Sequence, residues 1–148
     1  MRFFATLCAL LFAMAGPAAS WPLVSAEEDQ RDRDAPHVED PEGTATKAPP
    51  TITLKRPDAV GPIRNPVSIE LRFEPGPGSS IDIGSVRATY GWLGLDITRR
   101  LLAHAVLTPD GLSADDVEIP LGNHNVTISV ADTAGRVGTR TFQFSIVR

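Results

Sequence analysis

Alternation of apolar and polar residues is the clearest pattern in the second half of the chain. In PVSIELRF (66–73), every second residue from Val67 is apolar, which is typical of a strand with one buried face. The runs NVTISV (125–130) and TFQFSI (141–146) alternate in the same way. These three segments therefore predict β-strands, and the shorter runs TITLK and SVRATY predict two more.

Turn-forming segments separate the predicted strands. EPGPGSS (74–80) cannot continue a strand, and TPDGL (108–112) has the Pro-Asp-Gly order of a tight turn, with Gly111 free to take a positive φ. The segment DITRRLLAHAVL (96–107) is ambiguous, because it fits a short helical stripe or a strand followed by one helical turn. Several short strands separated by turns predict an all-β sandwich.

The final hairpin pattern carries a family resemblance. PLGNHNVTISVADTAGRVG (120–138) and FQFSIV (142–147) resemble the closing hairpin of immunoglobulin-like or fibronectin III-like domains in bacterial secreted proteins. The resemblance covers roughly 49–148 and is most specific in the last 30 residues. It implies an antiparallel immunoglobulin-like β-sandwich of about seven strands over 51–148. The chain departs from antibody-type domains in having no Cys–Cys bridge.

The first 20 residues have the layout of a secretory signal peptide. Arg2 precedes an uncharged run of about 13 residues, and the small residues Ala18, Ala19 and Ser20 follow. The apolar run is shorter than the ~20 residues that span a bilayer. We therefore expect an exported, periplasmic or secreted protein with no membrane span after cleavage. Cys8 is the sole cysteine, so the cleaved chain has no disulfide.

Charge divides the rest of the chain into two parts. Segment 21–50 holds eight acidic and three basic residues and five prolines, which predicts a disordered acidic linker. From residue 51 to 148 there are ten acidic and ten basic residues. This balance argues against a nucleic-acid partner, which needs a concentrated basic surface.

Two polar residues of the closing hairpin have structural explanations. His124 lies where many such sandwiches place a corner tyrosine, and an imidazole N–H can bond back to the backbone in the same way. Asp132 begins a turn in which its carboxylate can accept backbone N–H groups. The histidines lack the spacing of a metal site, so we assign no metal ligand and no cofactor.

The candidate binding residues lie in the middle of the domain. Apart from Trp21, Tyr90 and Trp92 are the aromatic residues outside the strand cores, and if both are exposed they suit a platform for a sugar or a protein. Arg99 and Arg100 are next to them and suit an acidic partner or a solvated surface. The sequence contains none of the nucleophile, zinc or phosphate-loop motifs of common enzymes.

These observations predict a non-catalytic exported module for binding, adhesion or assembly in the cell envelope, with a protein or glycan partner. One alternative is a carbohydrate-binding module that uses Tyr90 and Trp92. A second alternative is a small metal-binding periplasmic protein. We expect no enzymatic activity.

Overall fold

A computed structural model describes residues 20–35, 48–58 and 61–148. Most of the predicted signal peptide and residues 36–47 of the predicted linker lie outside these ranges. Within the described residues the elements, in chain order, are β1 (Trp21–Pro22), α1 (Ala26–Arg33), β2 (Thr51–Arg56), β3 (Ile63–Arg64), β4 (Val67–Glu74), β5 (Ile81–Tyr90), β6 (Leu95–Asp96), α2 (Thr98–Leu102), β7 (Ala105–Thr108), β8 (Gly111–Glu118), β9 (Gly122–Asp132) and β10 (Val137–Val147).

The strands form two five-stranded sheets that face each other. In the first sheet β2, β4 and β8 are adjacent, and both β7 and β1 pair with the remaining edge of β8. In the second sheet the order is β3-β10-β9-β5-β6. Among the described residues, the strand pairings are antiparallel except for two short parallel ones, β1 with β8 and β3 with β10. The predicted all-β sandwich is confirmed.

Period-two alternation places the core between the sheets. On β4 the residues Val67, Ile69, Leu71 and Phe73 are buried, while their neighbours on the other face are exposed or half-buried. β9 and β10 follow the same rule, because side chains on a strand point alternately to opposite faces. The strand segments predicted from the sequence therefore lie where their apolar faces pack together.

The strand count is higher than the seven that we expected. The structure has ten strands in its described residues, and three of them, β1, β3 and β6, contain two residues each. The ambiguous segment 96–107 contains the end of β6, the short helix α2 and most of β7. Strands of two residues leave no recognisable periodicity in a sequence, which explains the difference.

The turn between β7 and β8 needs glycine for a reason other than the predicted one. Gly111 does not adopt a positive φ. A Cβ atom at this position would lie 2.0 Å from the carbonyl oxygen of Leu71 on the adjacent strand. Gly111 is therefore required by close backbone packing, and the predicted conformational role was wrong.

Residues 20–35 form an ordered segment, which we call the strap, and they correct the predicted linker. The strap contains β1 and α1, and it contributes Leu23 and Val24 to the hydrophobic core, each 1% exposed. Ser25 caps α1 through a reciprocal hydrogen-bond pair with Glu28. The prediction of disorder is therefore wrong for residues 21–35.

We predict that Leu23→Ala lowers the free energy of unfolding by about 2–5 kcal/mol, because it leaves a cavity in the core. The matched control is Val106→Ala, since Val106 is 66% exposed, and we expect it to change stability by less than about 0.5 kcal/mol. Urea unfolding of both variants measures the difference. Equal effects would show that the strap does not belong to the core.

Candidate functional site

A buried polar cluster joins the strap to the second sheet. The hydroxyl of Tyr90 donates to Oδ1 of Asp29 at 2.5 Å, and Nδ1 of His124 lies 2.5 Å from the same hydroxyl. His124 Nδ1 is also 3.1 Å from Asp29 Oδ1, and Arg33 pairs with Asp29 Oδ2 at 2.6 Å. We call Asp29, Tyr90 and His124 the latch, because these side chains fix α1 against the sandwich.

The latch is almost fully removed from solvent. Asp29, Tyr90 and His124 are 6%, 1% and 3% exposed. Burial, together with the adjacent Asp29 carboxylate, raises the pKa of Tyr90 above its ordinary value, so the hydroxyl remains a donor. Among the described residues, no buried side-chain polar atom lacks a hydrogen-bond partner. The latch therefore stabilises docking of a helix that has no apolar face of its own.

His124 occupies the corner position at the start of β9. Its Nε2 atom lies 2.7 Å from the carbonyl oxygen of Pro120, and because a carbonyl only accepts, the imidazole N–H donates this bond. This is the type of backbone bond that the sequence analysis predicts for His124. The contacts with Tyr90 and Asp29 were not predicted, because Asp29 lay in the segment expected to be disordered.

Further polar contacts hold the strap along its length. Asp32 accepts the backbone N–H of Leu93 at 2.8 Å, and Arg33 donates to the carbonyl oxygen of Leu121 at 2.8 Å. Arg100 contacts both carboxylate oxygens of Glu28, at 2.9 and 3.0 Å, and the carbonyl oxygen of Leu23. Arg100, a candidate binding residue, is thus engaged within the protein, while Arg99 is exposed on α2.

Asp132 organises the turn between β9 and β10. Its carboxylate accepts the backbone N–H groups of Ala134 and Arg136, the side chain of Arg136 at 2.7 Å and the hydroxyl of Ser79 at 2.8 Å. Burial acts to raise the pKa of Asp132, but these hydrogen bonds outweigh it and lower the pKa. All of the carboxylate's contacts lie within the turn and its neighbours.

The structure separates Tyr90 from Trp92. Tyr90 points into the core and belongs to the latch, whereas Trp92 lies in the turn 91–94 and is 48% exposed. The predicted exposed platform of both aromatic residues is therefore wrong, because Tyr90 continues the inward alternation of Val86 and Ala88. Trp92 alone remains accessible to a ligand.

The outer face of the second sheet is uncharged along its two longest strands, β9 and β10, while Arg87 on the neighbouring strand β5 lies opposite Ser129. We call the eight outward residues of β9 and β10 that bear hydroxyl or amide groups the polar face; the other outward residues, Ala131, Val137 and Val147, are apolar. The hydroxyls of Thr127 and Thr141 are 2.8 Å apart across the two strands. The polar face comprises Asn123, Asn125, Thr127, Ser129, Thr139, Thr141, Gln143 and Ser145.

A groove of about 680 Å³ lies at one end of the polar face. One wall contains Trp92, and the opposite wall contains Gly61 and Pro62, which precede β3. The backbone N–H of Gly91 donates to the carbonyl oxygen of Asn125 at 2.8 Å, which fixes the tryptophan turn beside β9. The polar side chains that line the groove are Asn123, Asn125, Gln143 and Ser145.

The outer face of the first sheet, unlike the polar face, carries charged residues of both signs. Arg56 on β2 pairs with Glu70 on β4 at 3.2 Å, and Arg72 pairs with Glu74 at 3.3 Å. Lys55 and Asp110 lie around the same surface. All four side chains of the two ion pairs are more than two-fifths exposed, which is typical of a solvated surface.

The described residues show neither a membrane helix nor a metal cluster. Within residues 20–35, 48–58 and 61–148, both helices are too short and too polar to cross a bilayer. In the same ranges no three histidine, cysteine, aspartate or glutamate side chains come together as metal ligands. The latch holds only two such residues, Asp29 and His124, in contact.

Comparison with known proteins found few matches. No protein-family model matches the chain, and no curated protein matches it. Among solved structures, the chain is similar to CopC from Methylosinus trichosporium OB3b, with 17% identity and a TM-score of 0.36. The match covers 53% of this chain and 74% of that one. A match at this level defines neither a family nor a ligand.

We predict that Tyr90→Phe lowers the free energy of unfolding by about 1–3 kcal/mol, because it removes the hydroxyl that contacts both the buried Asp29 carboxylate and His124. Its effect should not add to that of Asp29→Asn, since both substitutions break the same cluster. Urea unfolding of the single and double variants measures the coupling. The control is Glu27→Gln, at an exposed carboxylate on the same helix, whose effect on the free energy of unfolding should add to that of Tyr90→Phe. If the effect of Asp29→Asn also adds to that of Tyr90→Phe, the latch is contradicted.

We predict an acid-dependent contribution from Glu28. Hydrogen bonds from Arg100 and from the backbone of Ser25 lower the pKa of Glu28 from 4.5 to about 2. Because the folded state has the lower pKa, the contribution is complete above about pH 4.5 and is lost as the pH falls towards 2. Glu28→Gln should therefore be less stable than the wild type at pH 7, and the difference should shrink near pH 2.5. A difference that does not change with pH, measured by urea unfolding, would contradict this assignment.

Proposed function

We propose that the chain is a non-catalytic, exported binding module of the immunoglobulin-like type, and that the polar face is its contact surface. Export is inferred from the signal-peptide pattern of residues 1–20. The proposed role is binding, adhesion or assembly in the periplasm or outside the cell. The single observation that supports the contact surface is the absence of charge along the outward residues of β9 and β10.

The strand order supports the immunoglobulin-like assignment. The first sheet, β2-β4-β8-β7, corresponds to the A-B-E-D order of that fold, and β10-β9-β5-β6 corresponds to G-F-C-C′. His124 then lies at the start of the F strand, at the position of the corner residue. Two further features accompany this order: the strap, which pairs with the E strand through β1, and the latch at the corner.

The contrast between the two sheet surfaces supports the choice of surface. Protein surfaces commonly carry charged residues of both signs, and the outer face of the first sheet does so. The polar face offers eight hydroxyl or amide side chains and no charge. A surface of this composition suits a partner that is itself uncharged and rich in hydrogen-bonding groups.

We predict that Thr141→Arg reduces binding of the purified protein to isolated cell-envelope material by at least tenfold, because it places a charged, bulky side chain on the polar face. Thr141 is exposed, so the urea midpoint should stay within the error of the wild type. Co-sedimentation with envelope fractions measures the binding.

Ser113→Arg is the matched control, because Ser113 is exposed on β8 in the first sheet. It should leave envelope binding unchanged. Equal binding by Thr141→Arg and the wild type, or equal losses in both variants, would overturn the assignment of the polar face.

A further inference from the structure

The groove beside Trp92 combines the two kinds of contact that a sugar ring requires. The indole offers an apolar surface that is half exposed, against which the C–H groups of a pyranose can pack. The amides of Asn123, Asn125 and Gln143 each supply both a donor and an acceptor. Sugar hydroxyls are themselves donors and acceptors, so the two sets of groups are complementary.

The charge of the groove lining determines which class of saccharide the groove can bind. Among the described residues, no carboxylate, guanidinium or ammonium group lines the groove, and the remaining lining comes from Gly61, Pro62, His124, Phe144 and Ser145. His124 is buried and engaged in the latch, so it does not present a charge to the groove. An anionic polysaccharide would meet no cation here. The lining therefore favours a neutral ligand.

The polar face extends the groove into a track along the strands. Asn123 is opposite Ser145, Asn125 is opposite Gln143, and the next row contains Thr127 and Thr141. Each row is two residues further along the strands, so the three rows span roughly 13 Å at about 3.3 Å per residue. A track of this length suits several linked sugar units better than a single one.

We propose that the groove and the polar face bind a neutral polysaccharide chain, which lies along β9 and β10 with one sugar ring packed on Trp92. This inference rests on the proposed function and specifies its ligand.

The test uses the full chain after signal removal and a panel of soluble neutral polysaccharides, β-glucan, xylan and galactomannan, with alginate as the anionic comparison. Binding is measured by affinity electrophoresis and by isothermal titration. We expect at least one neutral polymer to bind, with little dependence on salt. Trp92→Ala and Asn125→Ala should each weaken that binding at least tenfold, while Leu93→Ala, at the 60% exposed neighbour, should not.

Envelope material provides a second measurement that does not depend on the panel. Periodate oxidation of the envelope should abolish binding, because it cleaves the vicinal diols of sugars, whereas protease treatment should leave binding intact. Loss of binding after protease treatment alone would show that the ligand is a protein and would overturn the inference. Unchanged binding by Trp92→Ala, or stronger binding to alginate, would overturn it as well.

These outcomes separate the two proposals. If Thr141→Arg abolishes envelope binding, but periodate has no effect and no neutral polymer of the panel binds, the polar face is a contact surface and its ligand is not a polysaccharide. If Thr141→Arg binds the envelope as the wild type does, the contact surface itself is wrong.

Discussion

The burial of Asp29 is the constraint on which the arrangement of the strap depends. A carboxylate that is 6% exposed must have partners, and it finds them in Tyr90, His124 and Arg33. An eight-residue helix is marginal in water, so α1 is ordered mainly by these contacts. Leu23, which precedes α1, packs in the core and bonds to Glu118, so the strap is held at both of its ends.

The same helix positions the groove. Asp32, one turn beyond Asp29, accepts the N–H of Leu93 and holds the turn that carries Trp92. Gly91 adopts a φ of +69°, and a Cβ atom there would lie 2.1 Å from the Asp32 carboxylate. Glycine is therefore required both by the backbone conformation and by the approach of the helix. The position of the exposed Trp92 indole thus depends on the docking of α1 through Asp32.

How well each feature could be predicted from the sequence depends on how far apart in the chain its interacting residues lie. The long strands were predictable because the alternation along β4, β9 and β10 is local and sufficient to bury one face. The strap was missed because its docking uses polar pairs that are 61 residues apart, and its composition resembles that of disordered segments. Two local signals were available: the capping box Ser25-x-x-Glu28, and the inward alternation of Val86, Ala88 and Tyr90. Trp92 was suggested by the sequence, but the groove itself could not be predicted, since it combines a turn, two separate strands and the segment before β3.

Strand propensity explains only part of the polar face. Threonine is favoured in strands, so Thr127 and Thr141 are accounted for by local preference alone. Asparagine is disfavoured there, yet Asn123 and Asn125 flank His124 on β9. Neither asparagine is needed for the latch, which uses the inward residue between them. Two amides that weaken a strand and line the groove beside an exposed indole are better explained by ligand binding than by stability.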